Sequence, residues 1–198
     1  MRQLVVTVIA TLDGFVAGPG GDVMVMPFDE GFNDYAGERI RAAGTLLAGR
    51  TTYEDFRSYW PGVADDPSHD AVERDISRVH NTLEKVVVSD SLVIEPGSTW
   101  ADITRVVPRA DAADTVQELK AGDGGEILVF GSVTTWNPLL LAGIVDELHV
   151  LVGPALLGSG VPLLAEPTRV PLRLLEARRV EDSSLVLHRY DARGLRSG

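Results

Sequence analysis

Three short segments of this chain combine residue types that handle phosphates and sugars. Gly49-Arg50-Thr51-Thr52-Tyr53-Glu54 joins a glycine, which lets backbone approach a ligand closely, to an arginine and two hydroxyls. Thr51 and Glu54 have the spacing of a capping box, so a helix is expected to open here. Free N–H groups at a helix start, beside a guanidinium, make an anion site. Val129-Phe130-Gly131-Ser132-Val133-Thr134-Thr135 repeats the order of strand, glycine, hydroxyl and helix, a second phosphate-cradle pattern. It is neither a Walker A loop nor a G-x-G-x-x-G fingerprint. Val88-Ser89-Asp90-Ser91 sets a hydroxyl and a carboxylate at a strand end, where a ribose could lie. Each segment also has a plain reading: a capped helix with a solvated arginine, a strand-to-helix turn, and an ordinary turn.

The elements that must hold these segments can be read from hydrophobic pattern. Leu4 to Thr11 is nearly all apolar and β-branched, which suits a strand buried on both faces. Thr45–Ala48, Lys85–Val88 and Ile127–Phe130 are three more such runs, ending at Gly49, Ser89 and Gly131. Helical patterns lie between them, at Phe32–Ala43, Ala71–Leu83, Ala112–Ala121 and Trp136–Ala142. This alternation predicts an α/β domain with a mostly parallel sheet. Val145–Val152, Arg173–Val180 and Leu185–Tyr190 add strands, with Glu181-Asp182-Ser183-Ser184 as a hairpin turn, so an antiparallel C-terminal edge is expected. One domain over residues 1–191 and a loose tail over 192–198 complete the reading. Ligands of such sheets sit at the carboxyl ends of the strands, where all three segments fall.

Composition narrows the function. The 198 residues carry 18 basic and 29 acidic side chains, a net charge of −11. Coating of nucleic acid and adhesion to an anionic membrane both need a basic surface, so neither is expected. With no cysteine, thiol nucleophiles, disulfides and Cys-ligated metals are excluded. No signal-like or membrane-spanning run is found, and a cytoplasmic location is expected. His69 and Glu73, near Asp65, Asp66 and Asp70, have metal-like spacing, but an exposed acidic helix face is the simpler reading and no metal is expected. His80, His149 and His188 read as surface residues. Arg173, Arg178 and Arg179 read as a solvated strand face.

Taken in order, these pieces resemble a known family. Val8-Ile9-Ala10-Thr11-Leu12-Asp13-Gly14-Phe15-Val16-Ala17 resembles the first-strand motif of the dihydrofolate reductase-like superfamily. More closely, it resembles the reductase (C-terminal) domain of the riboflavin-biosynthesis bifunctional deaminase-reductase and its stand-alone relatives. Residues Gly49–Glu54, Lys85–Ser89 and Leu128–Ser132 are similar to further motifs of that group, as are Leu139–Leu148 and Pro154–Gly160. The resemblance implies a three-layer fold with a mixed, mostly parallel central sheet and a cleft for NADPH. Carried over, Arg50, Thr51 and Thr52 meet the adenosine-side phosphates, and Ser89 and Asp90 flank the adenosine ribose. Gly131, Ser132, Val133 and Thr134 cradle the pyrophosphate, and Gly49 is a further cofactor-binding position. Ile9, Ala10, Val16 and Ala17 border the nicotinamide. Homodimers are frequent among the stand-alone relatives, so a homodimer is expected.

The chain departs from the family pattern in three places. Asp90 repels a 2′-phosphate unless Arg50 or Lys85 offsets it, which keeps NADH open beside NADPH. Ser132 replaces the second glycine of a Gly-Gly turn. Counting on from Met26-Pro27-Phe28, the folate-type proton donor falls on Asn33, with Asp34 one residue later, a rotation of about 100° on a helix.

The expected function is that of an NAD(P)H-dependent oxidoreductase, passing hydride to a small heterocyclic or ribosylaminopyrimidine-like substrate. Asp13 and Asp34 are the candidate catalytic acids; a positioned acid contributes about 10²–10⁴-fold. Asp13 has a second reading as the Asp of an Asp-Gly turn. A dihydrofolate reductase is the alternative within the class. A non-catalytic nucleotide-binding protein on the same fold is the alternative outside it.

Overall fold

The computed structural model describes residues 1–166 and 169–194. Its centre is an eight-stranded sheet in the order β5-β4-β3-β6-β1-β7-β10-β9. The ranges are β1 Leu4–Thr11, β3 Ala43–Gly49, β4 Glu84–Val88, β5 Thr104–Val107, β6 Glu126–Phe130, β7 Glu147–Gly153, β9 Arg173–Arg179 and β10 Val186–Asp191. The first six strands in that order run parallel, and β10 and β9 are antiparallel additions at one edge. A separate pair, β2 (Phe15–Ala17) and β8 (Val161–Pro162), lies beside it. This is the α/β class and antiparallel edge that the hydrophobic pattern predicts.

Five α-helices cover the sheet: α1 Glu30–Ala42, α2 Arg50–Val63, α3 Ala71–His80, α4 Ala112–Ala121 and α5 Val133–Leu141. Central strand β1 is buried at every residue because both faces are covered. Leu4, Val6, Val8 and Ala10 pack with Val116, Trp136 and Leu139 of α4 and α5. Val5 packs with Ile40 and Ile76 of α1 and α3, and Ile9 with Tyr35 of α1. A continuous apolar run is what period-two alternation demands of a strand sandwiched by helices. Among the described residues no helix is long and apolar enough to cross a membrane.

Several expectations are corrected. Thr51 and Glu54 form no capping box: Gly49 is the N-cap of α2, no side chain caps it, and Glu54 instead pairs with Arg50 at 2.9 Å. The helix starts two residues earlier than that reading requires, which puts Thr51 inside the first turn. A capping box does form at Asp70 and Glu73, opening α3. The tail begins later than expected, since Ala192 is buried and its N–H donates to the Asp146 carbonyl at 2.9 Å. Residues 195–198 of that tail lie outside the described residues.

His80 and His149 are not surface residues; both are buried. His80 stacks between Trp60 and Trp100, at centroid distances of 5.0 and 6.0 Å. His149 accepts from the Tyr35 hydroxyl at 2.7 Å and donates to Glu147 at 2.9 Å, and Arg189 holds Glu147 from the other side at 2.9 Å. Burial pushes His149 down to about 4 and His80 to about 3, from an ordinary 6.5. The unfolded chain therefore takes up protons between pH 6.5 and 4 that the folded one refuses. Stability is expected to fall as the pH drops through that window, and His149→Gln should flatten the slope. Urea titrations at several pH values check this; an equal slope in the variant contradicts it.

Candidate functional site

A cavity of about 260 Å³ opens at the carboxyl ends of β4, β3 and β6. Gly49, Arg50, Thr51 and Thr52 line it from β3 and α2; Val88, Ser89, Asp90 and Ser91 from β4; Ser132, Thr134 and Thr135 from the start of α5; and Arg109 from the segment after β5. All three sequence segments singled out for phosphate and sugar chemistry thus meet in one place.

The helix starts are the main feature of this cavity. Neither the N-cap of α2, Gly49, nor that of α5, Ser132, makes a side-chain capping bond. Their first N–H groups keep their hydrogen-bonding capacity and the positive end of each helix dipole. By contrast α1 and α3, which open elsewhere, are capped by Asp29 and Asp70.

Close packing fixes the two turns against each other. The Gly49 N–H donates to Ser132 Oγ at 2.8 Å, and Ser132 Oγ lies 3.0 Å from Thr135 Oγ1. A Cβ on Gly49 would stand 2.7 Å from both hydroxyls, so either they or the turns would have to shift. Gly131 and Ser132 both have a φ of +54°, the left-handed turn that a Gly-Gly pair adopts easily. Ser132 keeps that turn and puts its hydroxyl to use between the two segments.

Two arginines and one carboxylate give the cavity a positive balance, in a protein of net charge −11. Asp90 Oδ1 accepts from the Arg109 backbone N–H at 2.9 Å, and Arg109 Nε lies 3.3 Å from Asp90 Oδ2. Arg50 bonds Ser91 Oγ at 3.2 Å on the other flank. Asp90 is therefore offset by Arg109, not by Lys85. The Lys85 ammonium is buried, bonded to the His80 and Leu83 carbonyls and set 4.1 Å over the Trp100 ring. Burial pushes its pKa down to about 7. Ser89 Oγ accepts from the Ser91 and Leu92 N–H groups at 3.2 and 3.0 Å, which shapes the loop carrying Asp90.

The remaining expected site residues lie off this cavity. Ile9, Ala10, Val16 and Ala17 are buried at the end of β1 and in β2; Ile9 packs with Met26 and Tyr35, and Ala10 and Val16 pack with Val133 and Trp136. Val133 points into the core, and Gly131 forms the turn without lining the cavity. Asp34 is exposed on α1, whose buried side is Gly31, Tyr35, Gly37 and Ile40. Asp13 caps a loop: its carboxylate accepts from Thr11 Oγ1 at 2.6 Å, Leu157 N at 3.0 Å and Gly158 N at 2.7 Å. The Thr11 hydroxyl and the two amides hold its pKa below the usual carboxylate value, which suits an acceptor and not a proton donor. Asp13→Asn is expected to speed amide exchange at Leu157 and Gly158 while changing ligand affinity in the distant cavity less than threefold. Exchange measured by NMR checks it, and an unchanged rate contradicts it.

Sequence reasoning missed Arg109, and it gave no role to Val88, Ser91 and Thr135. Arg109 follows a strand too short for its pattern to stand out, whereas the other three belong to the segments already singled out.

Comparisons with known proteins agree with this fold. The chain is 26% identical over 180 residues to an uncharacterised Bacillus subtilis protein, YyaP, covering 89% of this chain and 88% of that one. Its fold is similar to a pyrimidine reductase-like protein of Corynebacterium diphtheriae, with a TM-score of 0.62, 16% identity, and 96% and 91% of the two chains covered. It is also similar to a diaminohydroxyphosphoribosylaminopyrimidine deaminase/5-amino-6-(5-phosphoribosylamino)uracil reductase of Thermotoga maritima. There the TM-score is 0.66 and the identity 13%, and the match covers 96% of this chain and 56% of that longer one. The family model for the RibD C-terminal domain matches residues 2–186. The match spans nearly the whole length, and the chain belongs to the RibD C-terminal domain family.

Proposed function

We propose that this protein is an NADPH-dependent reductase of a small heterocycle related to the pyrimidines of riboflavin biosynthesis. The observation that carries the reading is the convergence of two uncapped helix N-termini with Arg50 and Arg109 on one cavity. That donor set suits a ligand with several phosphates held apart by sugars. Thr51, Thr52 and the starts of α2 and α5 would hold the pyrophosphate. Ser89 and Ser91 would meet the adenosine ribose, and Arg109 and Arg50 its 2′-phosphate. When bound, the cofactor supplies a hydride.

The chain's own part is to bind, orient and exclude water. An extended dinucleotide lying across β4, β3 and β6 reaches β1 next, where Ile9, Ala10, Val16 and Ala17 form a packed, apolar floor. Asp13 is committed to its loop and Asp34 faces solvent, so in this reading the proton comes from water. The exposed outer strand β9, with Leu174 54% exposed, supports pairing of two copies.

A crystal soaked with NADPH tests the reading. The 2′-phosphate is expected at charge-assisted hydrogen-bond distance, about 2.7–2.9 Å, from Arg109 or Arg50. Cofactor bound at another face of the protein would overturn it.

A further inference from the structure

We infer that Trp100, which does not line the cavity, is a positioning residue for the groups that grip the cofactor's 2′-phosphate. The inference rests on the cofactor reading above and names what holds those groups in place. Among the described residues, three that are not glycine have a positive φ: Trp100, Ser132 and Asp182. Asp182 lies in the β9–β10 hairpin, where a short carboxylate side chain tolerates that conformation. Ser132 is bonded to the Gly49 N–H in the cavity wall. Trp100, at φ +64° and ψ +10°, is the outlier, because a bulky ring has no short polar arm to steady that turn. Its surroundings must impose the conformation.

Groups from three elements grip the ring. Its Nε1–H donates to Asn81 Oδ1 at 2.9 Å, at the end of α3. His80 stacks on it at 6.0 Å, with the two rings 15° from parallel. The Lys85 ammonium of β4 lies 4.1 Å over its centre, and the Tyr53 ring of α2 stands 6.2 Å away. From Asp90 to Val106, Trp100 is the one buried residue. It is the deep anchor of the whole β4–β5 connection, whose middle, Glu95, Pro96, Gly97 and Thr99, is exposed.

Both sides of this connection lead to the cavity. On the β4 side, Ser89, Asp90 and Ser91 line it, and Leu92 and Ile94 follow. These two pack on the cluster that Trp100 forms with Ala48, Tyr53 and Val87. On the β5 side, the Thr104 hydroxyl donates to the Trp100 carbonyl at 2.7 Å and lies 3.2 Å from the Tyr53 hydroxyl. Thr104 opens β5, and Arg109 follows that strand into the cavity wall. The Ser89 N–H donates to the Val107 carbonyl at 2.9 Å, and Asp90 accepts from the Arg109 N–H at 2.9 Å. The two sides are thus tied to each other at the cavity and to Trp100 at the far end. Without the ring, Arg109 and the Asp90 loop lose that far tie. The starts of α2 and α5 keep theirs, the Gly49–Ser132 bond.

Calorimetric titration of the wild type and of Trp100→Gly with NADPH and with NADH tests this. Glycine keeps the left-handed turn at no steric cost and removes the ring, so the two contributions separate. Charge-assisted bonds to the 2′-phosphate are stronger than neutral bonds to the ribose, so NADPH should suffer more. It is expected to weaken at least tenfold, and NADH no more than threefold. Trp100→Phe, which restores an aromatic ring, should keep the NADPH-to-NADH affinity ratio within twofold of wild type. A Trp100→Gly protein that melts earlier but keeps the wild-type ratio would make the ring a purely structural part and overturn the inference. If that variant does not fold, Asn81→Ala, which leaves the ring and removes its Nε1 partner, takes its place. There the ratio should fall at least twofold, and an unchanged ratio overturns the inference. Failure of NADPH to bind the wild type would be seen before any variant is made; it would remove the cofactor reading, and this inference with it.

Discussion

Replacing Gly49 by alanine is expected to weaken NADPH binding by well over tenfold. The new Cβ would stand 2.7 Å from Ser132 Oγ and 2.7 Å from Thr135 Oγ1, closer than such contacts allow. Both hydroxyls line the cavity, and Ser132 Oγ accepts the Gly49 N–H. Relief requires the two hydroxyls to rotate away or the β3–α2 and β6–α5 turns to move apart; either breaks the Gly49–Ser132 bond that aligns the two helix starts of the anion site. Backbone strain plays no part, because Gly49 has φ −82°, a conformation any residue adopts. Overpacking of this kind costs about 1–3 kcal/mol of stability. The folded variant should therefore melt only somewhat earlier while losing most of its affinity. A Gly49→Ala protein with wild-type NADPH affinity would show that the cavity is not the cofactor site.

Arg109→Ala is expected to separate the two nicotinamide cofactors. A hydrogen bond to a charged group contributes about 1.5–3 kcal/mol, so loss of the guanidinium should weaken NADPH roughly 10- to 100-fold. NADH, lacking the 2′-phosphate, should change less than threefold. Asp90→Asn should act in the opposite sense, freeing Arg109 from the carboxylate 3.3 Å away and tightening NADPH. Equal losses for NADPH and NADH in Arg109→Ala would place the 2′-phosphate elsewhere.

How much of this was legible beforehand depended on the range of the interactions. The sheet strands with long apolar runs, such as Leu4–Thr11, were visible because burial on both faces leaves an uninterrupted signal. The four-residue β5 carries no such signal, which hid the strand-end position of Arg109. The three glycine- or serine-ended segments were legible as phosphate chemistry, since their residue types and their place after strands are local facts. Their convergence is a matter of strand order, with β3 lying between β4 and β6, and only the fold shows it. Asp13 was ambiguous for the same reason: its amide partners lie 144 and 145 residues away. His149 looked like a surface residue because its partners Tyr35 and Arg189 come from distant elements. The Thr51–Glu54 spacing misled because Arg50 competes for Glu54 and the helix starts at Arg50.

The central claim is that the cavity between α2, α5 and the Asp90 loop binds NADPH. Titration of the wild-type protein with NADPH, followed by quenching of tryptophan fluorescence, tests it most directly. The account predicts saturable quenching with a micromolar Kd. No binding at millimolar NADPH would contradict it.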